Sequence, residues 1–282
     1  MSNRQPIQIL DGLGFGEGLR WHDDRLWFSD FYAHTVSSLD LADDRRVEAE
    51  LDERPSGLGW LPDGRLLVVA MDSRRVLRRE PTGELVVHAD LSSVATSHAN
   101  DMVVAADGTA YVGNFGADMA AGEPRNDARL AIVRPDGTVL GGPEGLAFPN
   151  GSVITPDGST YIVGESMAQR YRAFPILPDS TLGEGRLWAD LGGRFPDGCT
   201  LDADGAIWFA DAMAPEVARV AEGGEVLDVI AMPDRCFACA LGGPDGRTLF
   251  VATASTFPGG NDPDWSGRLW SVEVDVRHAG RP

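Results

Sequence analysis

Polar and apolar positions along the chain repeat one unit six times: a short strand-like run, an Asp-Gly or Asp-Asp pair, then a second run rich in β-branched or aromatic residues. The copies are GLRWHDDRLWFSD from Gly18, GLGWLPDGRLLVVA from Gly57, MVVAADGTAYVG from Met102, GSVITPDGSTYIVG from Gly151, GCTLDADGAIWFAD from Gly198 and CALGGPDGRTLFVA from Cys239. Taking Asp24 and then the Asp of each Asp-Gly, the turns fall at 24, 63, 107, 157, 204 and 245, at intervals of 39, 44, 50, 47 and 41 residues. Asp-Gly supplies the positive φ of a tight hairpin, and the flanking runs suit strands rather than helices. Each copy therefore predicts an antiparallel hairpin. Further strand candidates follow the hairpins, such as 75–80 then 84–88 and 216–220 then 225–230, giving about four strands per unit.

Six four-stranded units predict an all-β chain folded as a six-bladed β-propeller of antiparallel blades. A radial array leaves a gap between first and last blade unless something closes it. The sixth unit offers only 237–241, 248–252 and 268–275, one strand too few, while 7–10 precedes the first unit without a partner. The N-terminal strand is therefore expected to complete the last blade. Two three-bladed sheets or a β-sandwich is the alternative; no linker-like composition breaks the middle of the chain, so residues 1–282 read as one domain.

Charge and composition remove several chemistries. With 43 acidic and 24 basic side chains the net charge is −19, so nucleic acid is not an expected partner. All 24 cations are arginine, which excludes a Schiff-base lysine, a pyridoxal-phosphate lysine and a phosphate-loop lysine. Cys199, Cys236 and Cys239 make an odd count and supply no second pair for a zinc cluster. No Gly-x-Ser-x-Gly elbow occurs, and the glycines of 12–18 lack dinucleotide-binding spacing. The first ten residues carry no leader pattern and nowhere do about 18 apolar residues run together, so a soluble cytoplasmic protein without a membrane partner is expected.

The innermost strand of each blade lines the central channel, and counting back seven residues from each turn Asp gives Glu17, Ser56, Asn100, Asn150, Asp197 and Ala238. Four of these carry carboxylate or amide oxygens that would converge near the axis. Like charges brought together in that way are costly to bury without a cation. Oxygen-only ligation points to a hard divalent ion, calcium first, with manganese, magnesium or zinc as the other candidates. The Pro149-Asn150-Gly151 and Pro196-Asp197-Gly198 frames carry a candidate ligand twice at matched register.

These frames, with Glu17 in Gly16-Glu17-Gly18 followed by Trp21, the Asn100-Asp101 pair, and Phe148 ahead of Pro149, resemble the motifs of the gluconolactonase, senescence marker protein and regucalcin family over nearly the whole chain. The resemblance implies a six-bladed propeller in which Glu17, Asn150 and Asp197 hold one divalent ion and Asn100 stands at the substrate-facing edge. One position departs from it. Family members acting on sugar lactones commonly carry an Arg two residues before the matching Asn, where this chain has His98.

The expected activity is metal-dependent opening of a small lactone to a hydroxy acid by water, with Asp197 as candidate base and Asn100 and His98 positioning the carbonyl. Phosphotriester or other ester hydrolysis on the same scaffold, and a non-enzymatic ion-binding or interaction propeller, are the alternatives. Loops 113–129 and 253–267 are expected at the mouth, offering Phe115, Asp118, Met119, Glu123, Arg125, Phe257, Asn261, Asp262 and Trp265, with Phe31, Tyr32 and Met213 beside them.

Overall fold

A computed structural model of the chain describes residues 4–117, 128–257 and 264–280. The six repeat units are six four-stranded antiparallel sheets. Their innermost strands are Gly16–His22, Pro55–Trp60, Ala99–Val104, Pro149–Ile154, Pro196–Leu201 and Arg235–Gly242. Each inner strand touches the next, and the sixth touches the first, so the ring is closed.

Burial explains the hydrophobic pattern. The second strand of blade two, Leu66–Ala70, is apolar throughout because both of its faces are covered. Leu66 and Val68 pack on Val36 and Ala49 of blade one, while Leu67 and Val69 join Met102 and Val112 of blade three. Outermost strands such as Arg45–Glu50 are mostly exposed and correspondingly charged. Among the described residues, six of the seven buried apolar clusters lie between successive blades, and the seventh sits at one mouth of the channel.

The turns follow the sequence with one refinement. In the first unit Asp23 and Asp24 both adopt positive φ, 49° and 58°, and close a two-residue hairpin. Most Asp-Gly copies use a third loop residue: Gly64 takes φ 85°, its N–H donates to Leu61 O at 2.9 Å, and Arg65 N–H donates to Asp63 Oδ1 at 3.1 Å. The carboxylate thus caps the turn that the glycine makes sterically possible.

The N-terminal strand, Ile7–Leu13, pairs antiparallel with Gly267–Glu273 as the fourth strand of blade six, in the register Ile7↔Ser271 and Leu13↔Gly267. This is the expected closure, extended from residue 10 to residue 13. No helix among the described residues is long and apolar enough to cross a membrane.

Candidate active site

The seven-residue count lands on one structural position. Glu17, Ser56, Asn100, Asn150 and Asp197 are each the second residue of an inner strand, and Ala238 matches them in blade six, whose inner strand starts two residues earlier. Every inner strand carries one extra residue relative to its neighbour at this level: Glu17↔Ser29 is followed by Arg20↔Trp27, and Pro149↔Glu165 by Ser152↔Val163. A β-bulge bends the strand and re-aims its side chains, and in all six blades one falls next to the ring residue, spanning it or just after it in blades one to five and just before it in blade six. In four of the six blades a glycine follows the ring residue and allows the strands to come together. A Cβ on Gly198 would lie 2.7 Å from Ala238 Cα, and one on Gly151 would collide with the Asp197 carbonyl.

Glu17, Asn100, Asn150 and Asp197 line a single cavity of about 420 Å³. All four are buried. Burial is the main cause that pushes the Glu17 carboxyl well above the usual carboxylate range, reinforced by the charges of Asp197 and Asp101; the Gly18 N–H, 3.1 Å from Oε2, and Arg20 work the other way. Asp197 is likewise pushed up, first by burial and then by Asp101, against the Asn150 amide and the Gly198 N–H. Its Oδ1 is buried without a hydrogen-bond partner.

The two amides present opposite ends. Asn150 Nδ2 donates to Ser166 Oγ at 3.3 Å, and Ser166 donates to Pro196 O at 2.6 Å, so Oδ1 is the acceptor end left to Asn150. Asn100 Oδ1 accepts from Ser56 Oγ at 3.4 Å, which leaves Nδ2 as its donor end. Among the described residues no group of three or more His, Cys, Asp or Glu side chains could hold a metal. The candidate donor set is mixed, with two carboxylates and an amide oxygen. An orphaned carboxylate oxygen beside a second carboxylate, both driven toward protonation, is what a hard divalent ion would relieve, and Glu17, Asn150 and Asp197 fit that role chemically.

Beneath the ring lies an ion pair whose role the sequence reading did not assign. Arg20 Nη2 lies 2.7 Å from Asp101 Oδ1, with both side chains almost fully buried, and also donates to Met102 O at 2.6 Å. Burial raises the Asp101 pKa while Arg20 lowers it.

His98 is placed outside the lining of the cavity. Its Nε2 lies 3.3 Å from Asp72 Oδ1, and its ring is 5.7 Å from that of Phe115. Arg54 also bonds Asp72. Burial pushes the Asp72 carboxyl up, but the hydrogen bonds from His98 and Arg54 outweigh it and hold the group well below the usual carboxylate range.

Phenylalanine forms most of the remaining wall. Phe15, Phe148 and Phe195 stand two residues before the ring position in blades one, four and five, the register that His98 occupies in blade three. The carbonyls of Phe15, Phe148 and Phe195 accept the N–H of Phe31, Ser166 and Ala212 at 3.0–3.1 Å, which sets these residues at the cavity as each second strand ends. Phe115, Phe237, Phe257 and Met213 add to the lining. Of the other mouth residues expected from sequence, Tyr32 packs at the edge of the aromatic cluster and Trp265 is half exposed. Asp118, Met119, Glu123, Arg125, Asn261 and Asp262 lie outside the described residues.

Over residues 15–255 the chain matches the SMP-30/Gluconolactonase/LRE-like region. It is 28% identical over 288 residues to pentonolactonase XacC of Haloferax volcanii, covering 95% of this chain and 92% of that protein. It superposes on a luciferin-regenerating enzyme with a TM-score of 0.82 at 18% identity, covering 97% of both chains. It also superposes on the calcium-binding protein regucalcin of Agrobacterium tumefaciens with a TM-score of 0.81 at 22% identity, covering 97% of this chain and 94% of that one. The two structures speak to the fold, whereas the family match spans most of the sequence: the chain belongs to the SMP-30/gluconolactonase/LRE-like family.

Proposed function

We propose that this protein is a divalent-ion-dependent lactonase that hydrolyses a small lactone to its hydroxy acid. The observation that carries the reading is the buried, unpartnered Oδ1 of Asp197 beside Glu17 in an accessible cavity. The family relative named a pentonolactonase, similar over 95% of this chain, supports the reaction class.

Glu17, Asn150 and Asp197 would hold the ion, and all-oxygen donors of this kind favour calcium over zinc. An ion bound there supplies polarisation of the ester carbonyl and a water of lowered pKa. Asp197 accepts a proton from the attacking water at a carboxylate oxygen as the new C–O bond forms at the carbonyl carbon. As the ring C–O bond breaks, the same proton passes to the leaving alkoxide, so the ring opens with one water added and Asp197 restored. Asn100 Nδ2 is the donor available to the carbonyl oxygen as charge develops on it. The Ser166 link from Asn150 to the Pro196 carbonyl holds the ligand amide in one orientation.

Elemental analysis of the purified protein should find one divalent ion per chain, and restoring calcium to chelator-treated protein should raise Tm by several degrees, since a hundredfold excess over Kd is worth about 2.7 kcal/mol. Absence of both ion and thermal shift would remove the basis of the proposal.

The same shift should depend on pH. The folded pKa values of Glu17 and Asp197 lie above their unfolded values of about 4.3 and 3.9. In ion-free protein the stability associated with the two groups is therefore fully present below about pH 4 and is lost as pH rises through the raised folded values. A cation competes with those protons, so calcium should stabilise the fold more at pH 8 than at pH 5. Melting curves showing an equal shift at both would place the ion elsewhere.

A further inference from the structure

Resting on the lactonase reading, we propose that the substrate is an apolar lactone, one whose ring carries an aromatic or branched aliphatic substituent, and that the site discriminates against polyhydroxylated sugar lactones. Seven of the eleven phenylalanines in the chain line the one cavity that holds the four ring residues. Its polar groups, Glu17, Asn100, Asn150, Asp197 and Ser166, belong to or adjoin the ring, where the reacting ester would sit. A substituent reaching outward from that ring meets aromatic rings.

The rings form two groups on the cavity wall. Phe15 and Phe237 have centroids 4.6 Å apart, and Phe237 meets Phe257 edge-on at 5.4 Å. On the other side Phe115 and Phe148 are stacked at 4.5 Å. Of the cations near this surface, His98 and Arg54 both engage Asp72, and Arg235 stacks on Phe257 with its Cζ 5.1 Å from the ring centroid. Sugar hydroxyls placed against these ring faces would give up water for surfaces that offer no donor or acceptor, whereas a phenyl or branched alkyl group would bury apolar area against them. A cavity of about 420 Å³ is large enough for a lactone with one such substituent.

Calorimetry on calcium-loaded protein with two non-hydrolysable analogues, a phenyl-substituted γ-lactam and gluconolactam, tests binding apart from turnover. The phenyl lactam should bind on the order of thirtyfold more tightly, the scale of burying one aromatic group. Phe257→Ala, at a ring already 44% exposed and so removable with little effect on folding, should narrow that ratio about tenfold. Equal or tighter binding of gluconolactam, or binding of neither analogue, overturns the inference. Parallel kcat/KM measurements on the matching lactones separate it from the reading beneath it. Binding of the phenyl lactam with no hydrolysis of any lactone removes the lactonase and leaves the apolar site standing; hydrolysis that prefers gluconolactone does the reverse.

Discussion

Asp197→Asn is expected to lower kcat for lactone hydrolysis by about 10²–10⁴-fold, the range associated with loss of a general base, while raising the Tm of the ion-free protein. The opposite signs share one cause. In the ion-free fold the Asp197 carboxylate is buried near Glu17 and Asp101 with Oδ1 unpartnered, so it opposes folding at neutral pH. An amide of the same shape removes that charge together with the proton acceptor. His98→Ala should change kcat by less than about threefold, because the imidazole bonds Asp72 and stands outside the lining of the cavity. Ion content must be measured alongside turnover. If Asp197→Asn keeps its ion and its activity, the base is another group; if it loses both, only the ligand role is supported. Comparable losses in the two variants would contradict the placement of His98.

The fold was legible because the repeat is strict where it matters physically. Asp-Gly turns recur at blade-length intervals, and second strands such as Leu66–Ala70 are apolar on both faces because each blade is covered by two neighbours. The ring residues were legible for the same reason: the inner strands and their turns repeat at near-constant length, so a fixed count from the turn finds all six, each beside a bulge. What escaped was encoded by exceptions and by a second register. One residue past the ring stand Gly18, Gly57, Asp101, Gly151, Gly198 and Cys239, and three past it stand Arg20, Gly59, Val103, Val153, Thr200 and Leu241. Asp101 and Arg20 are the charged exceptions in their rows, and they pair with each other. Two residues before the ring the row reads Phe15, Arg54, His98, Phe148, Phe195 and Cys236, so the aromatic wall was present in the sequence as a repeat position. The partnership of His98 and Arg54 with Asp72 had no such signal: the repeat fixes where Asp72 stands, one residue past the Met71 N–H that bonds Arg54 O, but the matching residues Tyr32, Gly116, Met167 and Met213 share no chemistry with it.

Arg20→Leu is expected to destabilise the protein by about 3–5 kcal/mol, the usual cost of removing one member of a buried ion pair. The guanidinium is 3% exposed, donates to Asp101 Oδ1 and to the carbonyls of Leu19 and Met102, and opposes the rise in the pKa values of both Glu17 and Asp101. Without it, three carboxylates lie near the channel axis with no internal cation to offset them. The loss should be smaller at pH 5 than at pH 8: an Asp101 whose folded pKa rises further above its unfolded value can take up a proton in the folded state at the lower pH, and its stability contribution disappears as pH increases. Adding Asp101→Asn to Arg20→Leu should recover much of the difference, because the stranded charge is removed while the amide oxygen can still accept the Met102 N–H that Asp101 Oδ1 accepts at 2.8 Å. Calcium should stabilise Arg20→Leu by more than it stabilises the parent chain, since a cation at Glu17, Asn150 and Asp197 supplies part of the positive charge that Arg20 provided. Chemical denaturation of the single and double variants, with and without calcium at the two pH values, reads all of these effects. A loss below about 1 kcal/mol for Arg20→Leu, or no recovery in the double variant, would mean that the pair contributes packing rather than charge to the floor of the site.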